Sequence, residues 1–508
     1  MYDNRLKDKK LNEIYKYISS INQVAYKCNY LLANKVLSKQ TLSKSKFYDY
    51  YFNRTSIVLP SFGQIIKTLI IYYKRSFVGY FKYVRRKIFW IRFGERFPFN
   101  TNNRQDLVLI DSFFLVKYLL KKGKFEDSYF EGLNRVLQKR NIKYAYLPVF
   151  TNYTSLTEFK DILKLLKNDN IPVLSEYQLL SSFDFFRLII FIILYPIYVL
   201  KLSYSLQGGS YISKVFKNEL LNEMGRISFF SFSRFLLGNK ISLSSCNNIK
   251  LISWYENQSI DKTLYKGLRS NVSTVKIFGC QLLLWSNSNL NYICDPLEIP
   301  HGVVPDKILV NGKYYLNIDE RINSQEGPSF RYKKIFNFKI NFHYRTDFLV
   351  ILPYFHSEII NILTVLNNIV YYSGKITVKI HPAITIDQYI NYIPDNFIIS
   401  NDNLYDLFKY SKIVLSTNSG SLVEAVTVGI PAIVLNNTKP YSNNPLPSIG
   451  KSIVWDYADD SYDVMQLIKK FGFRVNYEKN ILIKYANIYK NMFFCEPTEQ
   501  KIIESFEL

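Results

Sequence analysis

A histidine at a strand end and a hydroxyl-rich loop two strands later are the groups in this sequence best suited to phosphate chemistry. His381 stands before Pro382 in Val378-Lys379-Ile380-His381-Pro382, and Ser416-Thr417-Asn418-Ser419-Gly420-Ser421 follows Ile413-Val414-Leu415. Pro382 biases His381 toward extended backbone, ending the strand and turning the ring outward. An imidazole donates to a phosphate oxygen, and its protonated form stabilises a departing phosphate. The Ser-rich run adds hydroxyl and amide donors, and Gly420 lets the backbone come close. Ser421-Leu422-Val423-Glu424 has capping-box spacing, so a helix is expected to open there with its positive end toward an anion. Glu424, one turn in, is a candidate acceptor for ribose hydroxyls. The bland alternatives are that Ser421 and Glu424 only cap the helix and that His381 only ends its strand.

Holding two such loops side by side requires parallel strands. From Phe348 the pattern alternates apolar runs with helical stretches: strands at 347–353, 375–381, 396–399, 412–416 and 431–435, and helices at 357–369, 386–391, 403–410 and 421–428. Gly429 and Pro431 are stop signals for the last helix. Loops leaving the carboxyl ends of such strands are where open α/β sheets bind ligands. Earlier strand candidates are 106–111, 142–148, 171–174, 249–256 and 274–279, with a further strand between turn residues in 299–312. Helices around 126–139 and 155–167 separate some of them, which implies a second, largely parallel sheet. The polar, basic stretch 317–345 marks the boundary between the two.

A chain of 508 residues implies at least two domains, since single cores rarely exceed ~250–300 residues. The hydrophobic fraction of 48% excludes a disordered chain. The division expected is 1–100, an N-terminal helical and basic amphipathic region; 101–330, a first Rossmann-like domain; 347–480, a second Rossmann-like domain that carries the His-Pro and Ser-rich loops; and 481–508, C-terminal helices.

The set His381-Pro382, Ser416-Thr417, Gly420, Glu424-Ala425 and Gly429-Ile430-Pro431 resembles the C-terminal domain of GT-B glycosyltransferases. Within that fold it is similar to the bacterial enzymes of surface polysaccharide synthesis that use CMP-activated sugars, the sialyltransferases and Kdo transferases. These carry a His-Pro motif and a later Ser-Ser/Thr motif on the nucleotide phosphate. The resemblance implies an α/β, GT-B-like architecture: two Rossmann-like domains, 101–330 on the acceptor side and 347–480 binding the nucleotide sugar, whose parallel sheets face a central cleft. It implies that His381 aids departure of the CMP phosphate and that Ser416 and Thr417 bind it. The nucleotide-binding set is therefore His381, Pro382, Ser416, Thr417, Asn418, Ser419, Gly420, Ser421 and Glu424.

A catalytic base in such an enzyme comes from the other domain. Glu256 and Asp111 are the candidates, because each ends a predicted strand; each also has a purely structural alternative. A deprotonated carboxylate there takes the proton of the attacking acceptor hydroxyl. No metal and no cofactor is expected, the nucleotide-sugar donor being a substrate. The acceptor is a glycan or a lipid-linked glycan. The rival readings are a transferase using UDP or another nucleotide, a UDP-sugar epimerase, and a non-catalytic membrane-associated scaffold. Thr417-Asn418-Ser419-Gly420 lacks the Asp of the epimerase loop.

The formal charge of +24 suits either a solvated lysine-rich surface or an anionic partner. No nucleic-acid-binding signature accompanies it. Residues 63–97 interleave nine Lys and Arg with Phe77, Tyr80, Phe81, Phe89 and Trp90, opposed only by Glu95. Such a stretch either packs on its own domain or lies among lipid headgroups. Leu188–Leu200, with Pro196 inside, is too short to span and reads as a buried or interfacial helix. Residues 1–60 read as surface helices. Five cysteines without a CxxC pair suit reduced thiols. With no secretory pattern at Met1-Tyr2-Asp3-Asn4-Arg5, the expected location is cytoplasmic, peripheral at the inner face of the cytoplasmic membrane.

Overall fold

The computed structural model describes residues 9–38, 56–98, 106–153, 155–206, 210–243, 248–271, 275–286, 289–317, 319–369, 374–381, 384, 386–436 and 444–508. Two six-stranded sheets, parallel throughout, organise the chain as two Rossmann-like domains.

The first sheet comprises β1 (Leu107–Leu115), β2 (Tyr144–Thr151), β3 (Ile249–Trp254), β4 (Val275–Cys280), β5 (Lys307–Val310) and β6 (Ser324–Glu326). Their order is β2-β1-β3-β4-β5-β6. The second comprises β7 (Asp347–Ile351), β8 (Ile376–Lys379), β9 (Ile398–Ser400), β10 (Ser411–Ser416), β11 (Ala432–Leu435) and β12 (Trp455–Ala458). Their order is β12-β11-β10-β7-β8-β9. In each sheet the chain builds outward one way, then returns to the middle and builds the other way. The reversals fall between β1 and β3 and between β7 and β10, where connections depart to opposite faces and leave a crevice.

Buried apolar runs explain most of these strands. Leu107–Ile110, Phe348–Ile351 and Ile413–Leu415 are enclosed by helices on both faces, as parallel sheets require. Several elements differ from the sequence expectation. Ile171–Leu174 is not a strand: it touches β2 through one bridge, Tyr146 to Val173, and Pro172 has no N–H to extend the ladder. The expected helix at 386–391 is two 3-10 turns, Ile386–Gln388 and Ile390–Tyr392. The polar stretch 317–345 contains β6, and β12 was not foreseen. The helix Lys9–Tyr26 is not a free surface helix, since Ile14 and Ile18 are buried and the Tyr26 hydroxyl donates to Glu298 Oε1 at 2.6 Å.

The apolar run at 188–200 belongs to a longer helix, Ser182–Ser205, opened by a capping box between Ser181 and Asp184. By length and composition alone it is sufficient to cross a membrane. It packs along the first domain, burying Leu188, Phe191, Ile192, Tyr195 and Val199. Its neighbour is the helix Phe62–Phe93, capped by Ser61 and Gln64. After β12 the chain forms helices Ser461–Tyr477, Lys479–Phe493 and Glu499–Phe506. The last of these returns to the first sheet, where Phe506 packs on Phe278 and Phe330.

Candidate functional site at the cleft between the sheets

Loops from the carboxyl ends of four strands meet in a pocket of about 300 Å³. Leu283, Leu284, Trp285, Ser286, Asn289 and Tyr292 reach it beyond β4. Pro353, Tyr354 and Phe355 reach it beyond β7, His381 beyond β8, and Asn418, Ser419 and Gly420 beyond β10. The loops after β7 and β10 flank the reversal point of the second sheet, the position at which such sheets accept ligands. Larger cavities of about 600 Å³ and 470 Å³ lie elsewhere. The smaller one is singled out because both domains contribute strand ends to it.

Trp285 and Tyr292 form a flat wall, stacked with centroids 4.0 Å apart and planes 5° from parallel. His381 lines the same pocket, its ring edge-on to Tyr354 with centroids 5.6 Å apart. Burial lowers the His381 pKa below the ordinary imidazole value, so the ring is neutral at pH 7. A neutral ring still donates one N–H to an anion. Pro382 lies outside the described residues.

The Ser-rich run divides into an inward and an outward half. Ser416 Oγ donates to the Ile351 carbonyl at 2.7 Å, tying β10 to β7 at the reversal point. Thr417 Oγ1 donates to Glu358 Oε2 at 3.1 Å, and Asn418 Nδ2 to Glu358 Oε1 at 3.0 Å. Ser416 and Thr417 are buried, so their hydroxyls shape the loop from behind, while Asn418, Ser419 and Gly420 line the pocket. Glu358, on the helix His356–Asn367, was not singled out from the sequence. Its partners lie about sixty residues away, so no local pattern marks it.

The expected capping box does not form. Gly420 is the N-cap of the helix Ser421–Thr427, and Ser421 is its first residue. The Ser421 N–H donates to Ser419 Oγ instead, at 3.2 Å. A Cβ on Gly420 would stand 3.2 Å from Leu284 Cβ, so the lack of a side chain lets the two domains approach. Gly429 ends this stretch with φ +74°, the left-handed turn its position calls for.

Glu424 does not line the pocket, and its Oε2 accepts from the Tyr405 hydroxyl at 2.5 Å. Burial raises its pKa to about 7; the Tyr405 hydrogen bond and the Arg331 charge oppose that rise. Arg331, within the polar stretch read as a boundary, is a second residue that sequence reasoning missed. Its guanidinium lies 5.1 Å from the Tyr129 ring centre and donates to the Leu282 carbonyl. Tyr332, whose phenol pKa is raised first by burial, senses Arg331, Glu424 and Glu256 together. Its hydroxyl accepts from the Leu284 N–H at 3.1 Å. Charges from both domains thus gather behind the Leu284 wall of the pocket.

The two base candidates separate clearly. Asp111 does not end its strand: β1 continues to Leu115. It is buried, paired with Arg234 at 2.5 Å, and accepts from Ser253 Oγ at 2.9 Å. Both carboxylate oxygens are committed to holding β1 against β3 and the helix Phe229–Ser242. Glu256 lies two residues past β3, buried at the carboxyl end of the first sheet. It is hydrogen-bonded to Gln258 and shares the Tyr129 and Tyr332 surroundings with Arg331. Among the described residues no group of three or more His, Cys, Asp or Glu side chains is placed to hold a metal ion.

No family model matches the chain. No curated protein matches it either. Solved structures show a likeness in overall course. The UDP co-structure of MnaA from S. aureus aligns at 11% identity and TM-score 0.43, over 79% of this chain and 95% of that one. MurG from Acinetobacter baumannii aligns at 9% and 0.40, over 79% and 99%. The spinosyn rhamnosyltransferase SpnG, complexed with thymidine diphosphate, aligns at 11% and 0.40, over 80% and 100%. At these identities and TM-scores the likeness carries no functional weight.

Proposed function

We propose that the chain is a glycosyltransferase that moves a sugar from a nucleotide-activated donor to a glycan or lipid-linked glycan acceptor in bacterial surface polysaccharide synthesis. The observation that carries this reading is the meeting of His381 and Asn418–Gly420 with Trp285 and Tyr292, one set from each domain, in a single cleft. The first set suits a phosphate and the second an aromatic or sugar face. The sequence resemblance puts a CMP-linked nonulosonate or Kdo-type donor first, and UDP-linked donors second.

In the proposed reaction the acceptor hydroxyl attacks the anomeric carbon and the bond from that carbon to the phosphate oxygen breaks. The electron pair leaves with the nucleotide phosphate, and the hydroxyl proton passes to Glu256. Asp111 is the weaker candidate because its ion pair with Arg234 leaves no free oxygen. His381 and the donors at Ser419 and Gly420 stabilise the departing phosphate with no metal required.

The direct test is to incubate the chain with CMP- and UDP-linked sugars, with and without glycan acceptors, in the presence of a chelator. Nucleotide release that depends on acceptor supports transfer. A nucleotide-linked isomerised sugar would make the protein an epimerase, and failure to bind any nucleotide would sink both enzyme readings.

A further inference from the structure

Among the described residues, two adjacent helices of the first domain present exposed apolar stripes. On Phe62–Phe93 the outward residues are Phe62, Ile66, Ile70, Phe81 and Ile88, spaced four, four, eleven and seven apart and so on one face. Phe62 is 76% exposed and Phe81 63%. On Ser182–Ser205 the outward residues are Phe183, Phe186, Ile193 and Ile197. Lone exposed apolar residues are ordinary, but paired stripes of this length are not.

The stripes lie side by side. Tyr73 donates its hydroxyl to the Ile193 carbonyl and Tyr80 to the Phe185 carbonyl, so the helices run antiparallel with these tyrosines at the seam. Around the first helix the order is seam, then apolar stripe, then cations. Lys67, Lys74, Arg85 and Arg92 fall on the border away from the seam. At 1.5 Å per residue the helix is roughly 48 Å long. The surface is thus a long apolar strip, two helices wide, edged by cations.

We propose that this face seats the protein on an anionic phospholipid surface, the apolar stripes entering the headgroup boundary and the cation row meeting lipid phosphates. Burial of an apolar helix face to roughly 5–10 Å depth and basic attraction to anionic lipid are the two ingredients of interfacial attachment. A second copy of the chain is the less favoured occupant, because the cation row would face its own like. The placement goes beyond the transferase reading and does not require it.

Flotation of the full chain with phosphatidylcholine vesicles, with and without phosphatidylglycerol, tests the assignment without donor or turnover. Binding is expected with phosphatidylglycerol present, to weaken as salt rises, and to be slight with phosphatidylcholine alone. Lys74→Gln and Arg85→Gln should each weaken it roughly five-fold, the equivalent of ~1 kcal/mol per cation. Ile70→Glu with Phe81→Glu should abolish it, with unchanged circular dichroism, since both side chains are exposed. Vesicle binding indifferent to these variants, or no vesicle binding at all, overturns the proposal. A concentration-dependent dimer that Phe81→Glu dissociates, without lipid binding, would assign the face to a second copy instead.

Discussion

Asn418 Nδ2 donates to Glu358 Oε1 at 3.0 Å, and that carboxylate stands behind the loop that lines the pocket. Glu358 also takes the Thr417 hydroxyl, so one buried side chain fixes two successive residues of the loop. Glu358→Ala leaves two donors without their acceptor, at about 1–3 kcal/mol for a buried unsatisfied group. The expected outcome is a lower melting temperature and a raised KM for donor, with kcat less affected. A KM equal to wild type would show that the loop keeps its shape without Glu358.

His381→Ala is expected to lower kcat by about 10²–10⁴-fold, the usual range for a positioned proton donor or acceptor, while circular dichroism stays unchanged. Burial holds the His381 pKa below 6.5, so the neutral ring prevails in the empty cleft above that pH. Any His381-dependent change in kcat/KM as the ring gains its proton should therefore have its midpoint below pH 6.5. An acid limb centred above 6.5 that vanishes in His381→Ala would contradict the neutral-ring assignment.

Glu256→Gln and Asp111→Asn should part company. The first is expected to abolish transfer while donor binding and melting temperature persist. The second breaks a buried ion pair and strands Arg234, which costs about 3–5 kcal/mol. Its signature is lost stability. A stable Asp111→Asn protein devoid of transfer, beside an active Glu256→Gln, would move the base to Asp111.

Glu424 gives stability a pH dependence. Its folded pKa of about 7 is raised above the unfolded carboxylate value, so its contribution is complete below ~4.3 and is lost as pH rises through 7. Glu424→Gln keeps an acceptor for Tyr405 and cannot ionise. Relative to wild type it should gain melting temperature at pH 8 and show little gain at pH 4. Parallel melting curves across that range would exclude this role for Glu424.

The second sheet was largely legible because Phe348–Ile351 and Ile413–Leu415 are unbroken apolar runs bounded by turn residues. β6, Ser324-Gln325-Glu326, and β12, Trp455-Asp456-Tyr457-Ala458, were not, since short polar-bearing edge strands carry no such run. In the pocket loop, composition identified a polar turn at a strand end. It did not show which hydroxyls face in, because that depends on Glu358, distant in the chain. Ser421 resembled a cap because its spacing to Glu424 fits, yet Gly420 takes the cap and Tyr405 takes Glu424. Arg331 carried no local signal beyond its aromatic neighbours Phe330 and Tyr332.

The helix Glu499–Phe506 closes on the first sheet, with Glu507 paired to both Lys276 and Lys307 and Glu499 to Lys139. That return has a consequence for the order in which the protein can be made. On the ribosome the first sheet is finished long before residues 499–508 emerge, yet Phe278 and Phe330 lack their cover until then. The earlier domain therefore waits, partly uncovered, for residues 499–508. A change within residues 499–508 would be felt in the domain that carries the first sheet.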